Sequence, residues 1–250
     1  MPRFAATVSY DGQAFVGSQR QSNGRTVQGE IERALETISG QFARSDMAGR
    51  TDSGVHAVGQ VAAFTVDTRL DATTLGRALN AHLPVDVAVR NVAPVVEDFD
   101  PRRWARKRSY RYTIWNAPGR APLLRRTAWH FGGNLDVPAM QQAALALDGE
   151  QDFIACSGPL EPGRTSVRTV FRSGLYREGD TLQFEIEANA FLPQMVRRLT
   201  GALVSVGRGA LPVEEFAATL RRAVPGTMGP TAPAHGLCLI NVYYDEGYSP

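Results

Sequence analysis

The feature that most restricts the fold is an order of strand and helix patterns that occurs twice along the chain. In the first half, short runs rich in β-branched residues alternate with two segments whose apolar residues recur at helical spacing, in the order β-α-β-β-α-β. Apart from extra pieces, the second half has the same order, without a repeat at the level of residues. This is the order of the split βαβ unit. We therefore predict an α+β fold of two ferredoxin-like subdomains, residues 1–104 and 105–250.

Local signals predict several element boundaries. Thr26 is predicted to cap a helix that Gly40 ends, and Thr73 is predicted to open a second helix. A short strand is predicted over Phe42 to Met47. In the second half, Phe191 to Val206 is predicted to be a long helix, because its apolar residues follow four-and-three spacing.

Residues 48–57, here called the central loop, are a polar turn between two predicted strands. Gly49 and Gly54 allow the backbone to bend sharply and to approach a ligand closely. Asp52 is the one carboxylate in the loop, and Arg50 lies two residues before it and supplies a positive charge suited to phosphate or a base. The loop suits a reaction centre. An ordinary turn is the alternative, because Asp and Ser are favoured in turns.

Basic residues are clustered, although the net charge is only +2. Between Pro101 and Leu135 there is no acidic residue but there are nine basic ones. Such a block is an electrostatic footprint for phosphates, and interleaved aromatic residues are suited to stacking on bases. We therefore favour nucleic acid as the partner over a merely solvated basic face. The first six basic residues of the block are Arg102, Arg103, Arg106, Lys107, Arg108 and Arg111, and the aromatic residues among them are Trp104, Tyr110 and Tyr112.

Composition and motifs exclude several classes of protein. The N-terminus lacks an apolar core of signal-peptide length, and no stretch approaches the ~18 apolar residues of a membrane span, so we expect a soluble cytoplasmic protein. Cys156 and Cys238 are far apart and lack ligand spacing around them, which argues against a zinc site, and we expect reduced thiols. No Walker-type loop or dinucleotide fingerprint occurs. We expect no cofactor and no metal.

The central loop, Gly49-Arg50-Thr51-Asp52-Ser53-Gly54-Val55-His56-Ala57, resembles the signature of the tRNA pseudouridine synthase A family. Further segments resemble family segments in family order and bring the resemblance to essentially the whole chain. These segments are Tyr10-Asp11-Gly12, Gln19-Arg20-Gln21, Val27-Gln28, Tyr110-Arg111-Tyr112, Asn189-Ala190-Phe191-Leu192, Met195-Val196-Arg197 and Thr231-Ala232-Pro233-Ala234-His235-Gly236-Leu237.

The resemblance implies two domains around a mixed, largely antiparallel sheet, a homodimer, and conversion of uridine to pseudouridine in the tRNA anticodon arm at positions 38, 39 and 40. If the sheets of the two subdomains join side by side, a basic cleft can form between them. The resemblance also implies that Asp52 is the catalytic aspartate, that Tyr110 stacks on the target base, that Arg197 is the basic partner of Asp52, and that Arg50 fills the gap left by the extruded nucleotide. The substrate-binding residues expected on this basis are Arg50, Tyr110, Gln19, Arg20, Arg102, Arg108 and Leu237.

Four positions depart from the family's usual pattern, and none of them is a proposed catalytic residue. The departures leave details of the RNA contacts and of the pocket wall open. They are Ser18 where Trp is common, Ser53 where Ala is common, Pro193-Gln194 where His pairs are common, and Cys238 where an aromatic residue is common.

Two other functions fit parts of the sequence. Asp52-Ser53-Gly54 matches the triplet of aspartic proteases, but that chemistry needs two carboxylates, and the chain has one such triplet. A non-catalytic RNA-binding module of the same fold is the second alternative, and it predicts that Asp52→Ala changes nothing except affinity.

Overall fold

The computed structural model describes residues 1–158, 160 and 163–245, and its backbone divides into two units. Unit 1 comprises Met1–Lys107 and the segment that begins at Cys238, and unit 2 comprises Arg108–Leu237. The predicted subdomains, 1–104 and 105–250, follow the order of the sequence. Unit 1 does not, because the last strand of the chain pairs with a strand of the first half.

The elements of unit 1 confirm the predicted order β-α-β-β-α-β. They are β1 (Arg3–Tyr10), α1 (Val27–Ser39), β2 (Ser45–Met47), β3 (His56–Thr65), α2 (Ala72–His82) and β4 (Val87–Val95). Strand β1 lies between β4 and β3 and is antiparallel to both, and β2 pairs with β3. The last strand of the chain, at Leu237–Tyr243, is parallel to β3 through the pairs Cys238 with His56 and Leu239 with Ala57.

The described part of unit 2 contains mostly antiparallel strands and three α-helices. Its elements are β5 (Lys107–Trp115), β6 (Trp129–His130), α3 (Val137–Leu145), β7 (Gly149–Asp152), β8 (Val167–Glu178), β9 (Thr181–Ala188), α4 (Met195–Gly207) and α5 (Val213–Arg222). The last strand of the chain, Leu237–Tyr243, which pairs with β3, is β10. The strand order is β5-β9-β8-β7, with neighbours antiparallel, and β6 runs parallel to β5. An α+β fold with mostly antiparallel sheets is therefore confirmed.

Helix α1 begins and ends where the sequence predicts. The Thr26 hydroxyl accepts a hydrogen bond from the backbone N–H of Gly29 (3.2 Å), which satisfies one of the unpaired donors of the first turn. At the other end, Gly40 has φ of +72° and donates to the carbonyl of Glu36, a conformation that glycine adopts at little cost.

Three predicted boundaries are wrong. Helix α2 is capped by Asp71, whose carboxylate accepts from the N–H of Thr74 (2.7 Å), and does not open at Thr73. Helix α4 begins at Met195, because Gln194 has φ of +61° and so is not helical. Strand β2 is shorter than predicted and spans Ser45–Met47.

Each unit has its own apolar core. In unit 1 the amphipathic helices α1 and α2 bury one face, and in unit 2 the inward face of β5 is buried together with α3, α4 and α5. Within the described ranges, no helix has the length and apolar character needed to cross a membrane. Fully buried side chains include Ile31, Leu35, Phe64, Leu75 and Leu79 in unit 1 and Tyr112, Ile114, Met140, Phe184 and Phe216 in unit 2.

Candidate active site

The central loop joins β2 to β3, as predicted, and is hydrogen-bonded to the segment that precedes α1. The N–H of Ser18 donates to the carbonyl of Thr51 (3.1 Å), and the N–H of Thr51 donates to the Ser18 hydroxyl (2.9 Å). Beside this pair, Gly17 and Asp52 form an isolated antiparallel bridge. The carbonyl of Ser18 accepts from the N–H of Gln28 in the first turn of α1 (2.9 Å). The backbone next to Asp52 is therefore connected to a helix through Ser18, which is 1% exposed.

The buried side of the central loop rests on two polar side chains. The Tyr10 and Thr51 hydroxyls are hydrogen-bonded at 2.9 Å. Gln60, which is fully buried, donates to the carbonyl of Gly49 (3.0 Å) and accepts from the N–H of Val61 (3.1 Å). Burial raises the pKa of Tyr10 to about 12, so the phenol is protonated near neutral pH and remains a hydrogen-bond partner for Thr51.

The end of the central loop packs against the Tyr10-Asp11-Gly12 segment. A Cβ atom at Gly12 would lie 1.9 Å from the carbonyl oxygen of Val55, so only glycine fits there. The N–H of Gly12 donates to Nδ1 of His56 (3.1 Å), and Nδ1 lies 3.3 Å from a carboxylate oxygen of Asp11. His56 is 7% exposed, and these contacts give it a structural role at the start of β3.

Asp52 lies where the turn reverses direction. Its carbonyl accepts from the N–H of Val55 (3.1 Å), and the next residue, Ser53, donates its hydroxyl to the carbonyl of Phe15 (3.0 Å). The side chain of Asp52 is half-buried and that of Arg50 is exposed. This arrangement fixes the backbone on both sides of one carboxylate while leaving that carboxylate partly accessible, as a nucleophile requires.

Gln19 and Arg20 continue from Ser18 towards α1. The N–H of Arg20 donates to Oε1 of Gln28 (2.9 Å), and its guanidinium pairs with the buried carboxylate of Glu32 (3.0 Å) and lies 5.3 Å from the ring centre of Phe42. Gln19 is half-buried and Arg20 is exposed. Arg20 therefore has a structural partner in addition to any contact with substrate.

In unit 2, Tyr110 lies on the inward face of β5. It pairs with Ile186 of β9 and meets the ring of Phe191 edge to face, with ring centres 4.9 Å apart. Tyr110 is 8% exposed, so its ring is packed among other side chains. It also belongs to the Tyr110-Arg111-Tyr112 motif. Tyr112, two residues further on the same face, donates its hydroxyl to the carbonyl of Pro233 (2.7 Å).

Arg197 lies in the first turn of α4 and is hydrogen-bonded to Ala232 in the segment 231–237. Its Nε donates to the carbonyl of Ala232 (2.9 Å), while the N–H of Ala232 donates to the carbonyl of Arg197 (3.1 Å). Burial raises the pKa of the Tyr112 phenol, and the positive charge of Arg197 opposes part of that rise. Leu237, at the end of this segment, is 6% exposed.

Three arginines of the predicted basic block lie against acidic residues outside the block, and two of these contacts join distant parts of the sequence. Arg106 pairs with Asp245 (2.6 Å), and Arg111 pairs with Glu185 (2.7 Å). Arg103 lies 3.5 Å from Asp100. The absence of acidic residues from a stretch of sequence is therefore a poor measure of its charge in the fold. Of the two members expected to bind substrate, Arg102 is exposed, and Arg108 is half-buried and donates to the carbonyl of Asn189 (2.9 Å).

The predicted site residues are divided between the units. Arg50, Asp52, Gln19, Arg20 and Arg102 belong to unit 1, whereas Tyr110, Arg197, Arg108 and Leu237 belong to unit 2. The pairing of Asp52 with Arg197 stays a prediction. Sequence reasoning missed the supporting role of the residues that hold the central loop in place. These are Ser18, Thr51, Tyr10 and Gln60, and the motifs around them gave their positions but not their contacts.

No group of three or more His, Cys, Asp or Glu side chains suited to a metal ion occurs in the part of the chain that the structure describes.

The family model and the relatives found by sequence agree with one another. A family model described as tRNA pseudouridine synthase matches residues 6–102 and 143–245. A tRNA pseudouridine synthase A of Chloroflexus aurantiacus is 45% identical over 99% of this chain and 90% of its own length. One from Myxococcus xanthus is 43% identical over 99% of this chain and 94% of its own length. A crystal structure of an archaeal box H/ACA sRNP Nop10–Cbf5 complex matches 81% of this chain and 43% of that chain, with 12% identity and a TM-score of 0.32.

Proposed function

The chain belongs to the tRNA pseudouridine synthase A family, and from this premise we propose that Asp52 is its catalytic nucleophile. Membership of the family makes the protein an isomerase that acts on tRNA. The proposal extends to the sites of modification, which are uridines 38, 39 and 40 of the anticodon stem-loop. The motif resemblance described above supports that choice of positions.

The reaction breaks the bond between N1 of uracil and C1′ of the ribose, turns the base, and joins C5 to the same C1′. The proton on C5 is lost and N1 gains one, so the reaction is redox-neutral. A carboxylate that attacks either C1′ or C6 is sufficient to start it. Both points of attack are compatible with a single aspartate.

The geometry of the central loop is the observation that best supports Asp52 in this role. Hydrogen bonds fix the residues on both sides of it, and its carboxylate is half-buried. A reactive group on a fixed backbone reaches the substrate in one orientation, which lowers the entropic part of the barrier.

Tyr110 and Arg197 are the proposed partners of Asp52. Extrusion of the uridine from its stack costs a few kcal/mol, and stacking on an aromatic ring returns about 1 to 3 kcal/mol. We assign that platform to Tyr110, whose edge-to-face contact with Phe191 holds the ring in one orientation. The guanidinium of Arg197, oriented by its bond to Ala232, is assigned the stabilisation of the ionised carboxylate.

The decisive experiment compares wild-type protein with Asp52→Asn on unmodified tRNA transcripts, with pseudouridine mapped by carbodiimide-dependent primer extension. Asp67→Asn is a matched control, because it makes the same chemical change at an exposed residue outside the motifs. We expect stops at the anticodon arm with wild type and with the control, and none with Asp52→Asn. Stops from Asp52→Asn at the wild-type rate would refute the assignment, and stops elsewhere in the tRNA would refute the proposed positions.

Tyr110→Phe separates the two roles open to Tyr110. The ring is retained and the hydroxyl is lost, so retained turnover assigns the residue to stacking alone. Loss of turnover with unchanged tRNA affinity assigns the hydroxyl to removal of the C5 proton.

We further propose that the protein acts as a homodimer in the cytoplasm. The family resemblance supports the first statement, and the second carries forward the expectation from the sequence. Light scattering of the purified protein measures the first, since a monomer mass at working concentration contradicts it. Cell fractionation measures the second.

A further inference from the structure

Residues 117–128, here called the basic loop, carry three arginines within seven residues. The side chains of Arg120, Arg125 and Arg126 are all exposed. Within the described part of the chain, no carboxylate forms an ion pair with Arg120 or Arg125. Arg125 donates to the carbonyl of Pro122 (3.2 Å), a contact that leaves its charge uncompensated.

The basic loop differs in this respect from the earlier part of the same acid-free stretch. There, the guanidinium groups of Arg106 and Arg111 lie against the carboxylates of Asp245 and Glu185. Positive charge that is paired within the protein attracts an anionic partner weakly. The positive charge of the basic loop therefore attracts an anion more strongly than the charges of Arg106 and Arg111 do.

The backbone of the basic loop is ordered by its own contacts. The indole of Trp115 donates to the carbonyl of Gly119 (2.7 Å), and Nε2 of His130 lies 2.9 Å from the carbonyl oxygen of Ala117. A short 3-10 helix at Pro122–Leu124 follows, and the N–H of Ala128 closes the loop on the carbonyl of Leu124 (2.9 Å). A partner that binds the loop therefore has little backbone entropy left to remove.

We propose that the basic loop binds phosphates of the tRNA backbone and contributes affinity without taking part in the chemical step. This inference rests on tRNA being the substrate and is independent of the role of Asp52. Guanidinium groups match phosphate oxygens in a two-point geometry, which suits arginine better than lysine for this purpose. A rigid loop with several such groups grips a backbone that presents one negative charge per nucleotide.

The loop's chemistry favours RNA over a second copy of this chain. Leu123 is 94% exposed, but it lies in a loop that also carries three exposed arginines. In a two-fold interface centred on the loop, the same positive charges would face one another, which opposes association. A contact with RNA places every one of them opposite an anion.

The test is the salt dependence of tRNA binding by the triple variant Arg120→Gln, Arg125→Gln, Arg126→Gln. The matched control removes the same charge from exposed arginines elsewhere, as Arg69→Gln, Arg77→Gln, Arg221→Gln. Dissociation constants for an unmodified tRNA transcript are measured across a range of KCl concentrations. In parallel, kcat is measured at saturating tRNA, and molar mass is measured by light scattering.

We expect the triple variant to bind tRNA more weakly and its plot of log K against log salt to become shallower by about 0.7 to 0.9 per lost phosphate contact, about 2 to 3 in all. The control variant keeps the wild-type slope, and kcat and molar mass stay unchanged in both. A slope equal to that of the control overturns the proposal. A fall in molar mass confined to the triple variant overturns it in favour of an interface between copies. If wild type makes no pseudouridine, the proposed function fails, while the slopes still decide whether the loop binds RNA.

Discussion

Ser18→Ala tests whether the hydroxyl that holds the central loop matters for catalysis. The substitution removes the hydroxyl oxygen, which accepts a hydrogen bond from the N–H of Thr51 (2.9 Å). Ser18 is 1% exposed, so this hydrogen bond is buried. The backbone bonds from Ser18 to Thr51 and from Gln28 to Ser18 are retained, because neither uses the side chain. The change therefore leaves the N–H of Thr51, next to Asp52, without its acceptor, and it also removes the contact of the Ser18 hydroxyl with the Tyr10 phenol.

The magnitude follows from the burial of that donor. A buried N–H that loses its partner costs about 1 to 3 kcal/mol. In a protein of this size, each kcal/mol lowers Tm by about 2 to 4 °C, so we expect a fall of about 2 to 12 °C by calorimetry. Thr51 can recover part of this energy by shifting towards another acceptor, and any such shift moves the backbone of Asp52.

The substitution also has a kinetic consequence. Because a misplacement of about 1 Å at a reacting group can lower the rate by about 100-fold, we expect kcat to fall by about tenfold to 100-fold with little change in KM. The assay is single-site pseudouridine formation on a tRNA transcript. Ser9→Ala is the matched control, since the Ser9 hydroxyl makes only a long contact of 3.4 Å to the carbonyl of Ala88. Equal kcat and Tm in the two variants would show that the Ser18 hydroxyl does not position the loop.

Three further outcomes are expected. Gly12→Ala should abolish stable folding of the central loop, measured as lost activity and a lowered Tm, because its Cβ would lie 1.9 Å from the carbonyl oxygen of Val55; wild-type activity would contradict this. Tyr112→Phe should lower the free energy of unfolding by about 1 kcal/mol in urea titrations, since it removes the bond to Pro233, whereas an unchanged value would mean that this bond adds no net stability. Burial raises the pKa of the Cys156 thiol from 9.0 to about 12, so its contribution to stability is complete below pH 9 and is lost between about pH 9 and 12; Cys156→Ala should flatten the alkaline part of a plot of unfolding free energy against pH, and an unchanged slope would exclude this thiol as a source.

The sequence predicts the elements of each unit well because their signals are local. Thr26 and Gly40 mark the ends of α1 through contacts that span three or four residues, and the structure confirms both. The predicted start of α2 is wrong, and the reason is also local. Asp71 and Thr73 are both good capping residues, and the hydrogen bond to Thr74 decides between them.

Charge could not be predicted from the sequence in the same way. The pair formed by Arg106 and Asp245 joins residues 139 positions apart, so an acid-free window around Arg106 says nothing about its partner. The assignment of the last strand to unit 1 has the same origin, because Cys238 of that strand pairs with His56 of β3, which is far away in the sequence. Long-range pairing is decided by the fold as a whole.

The residues of the candidate site also differ in whether local sequence signals or long-range contacts identify them. Residues proposed to touch the substrate, such as Asp52, stand in motifs and can be found by reading the sequence. The supporting role of Ser18 cannot be found in this way, because it depends on a contact with Thr51, 33 positions away.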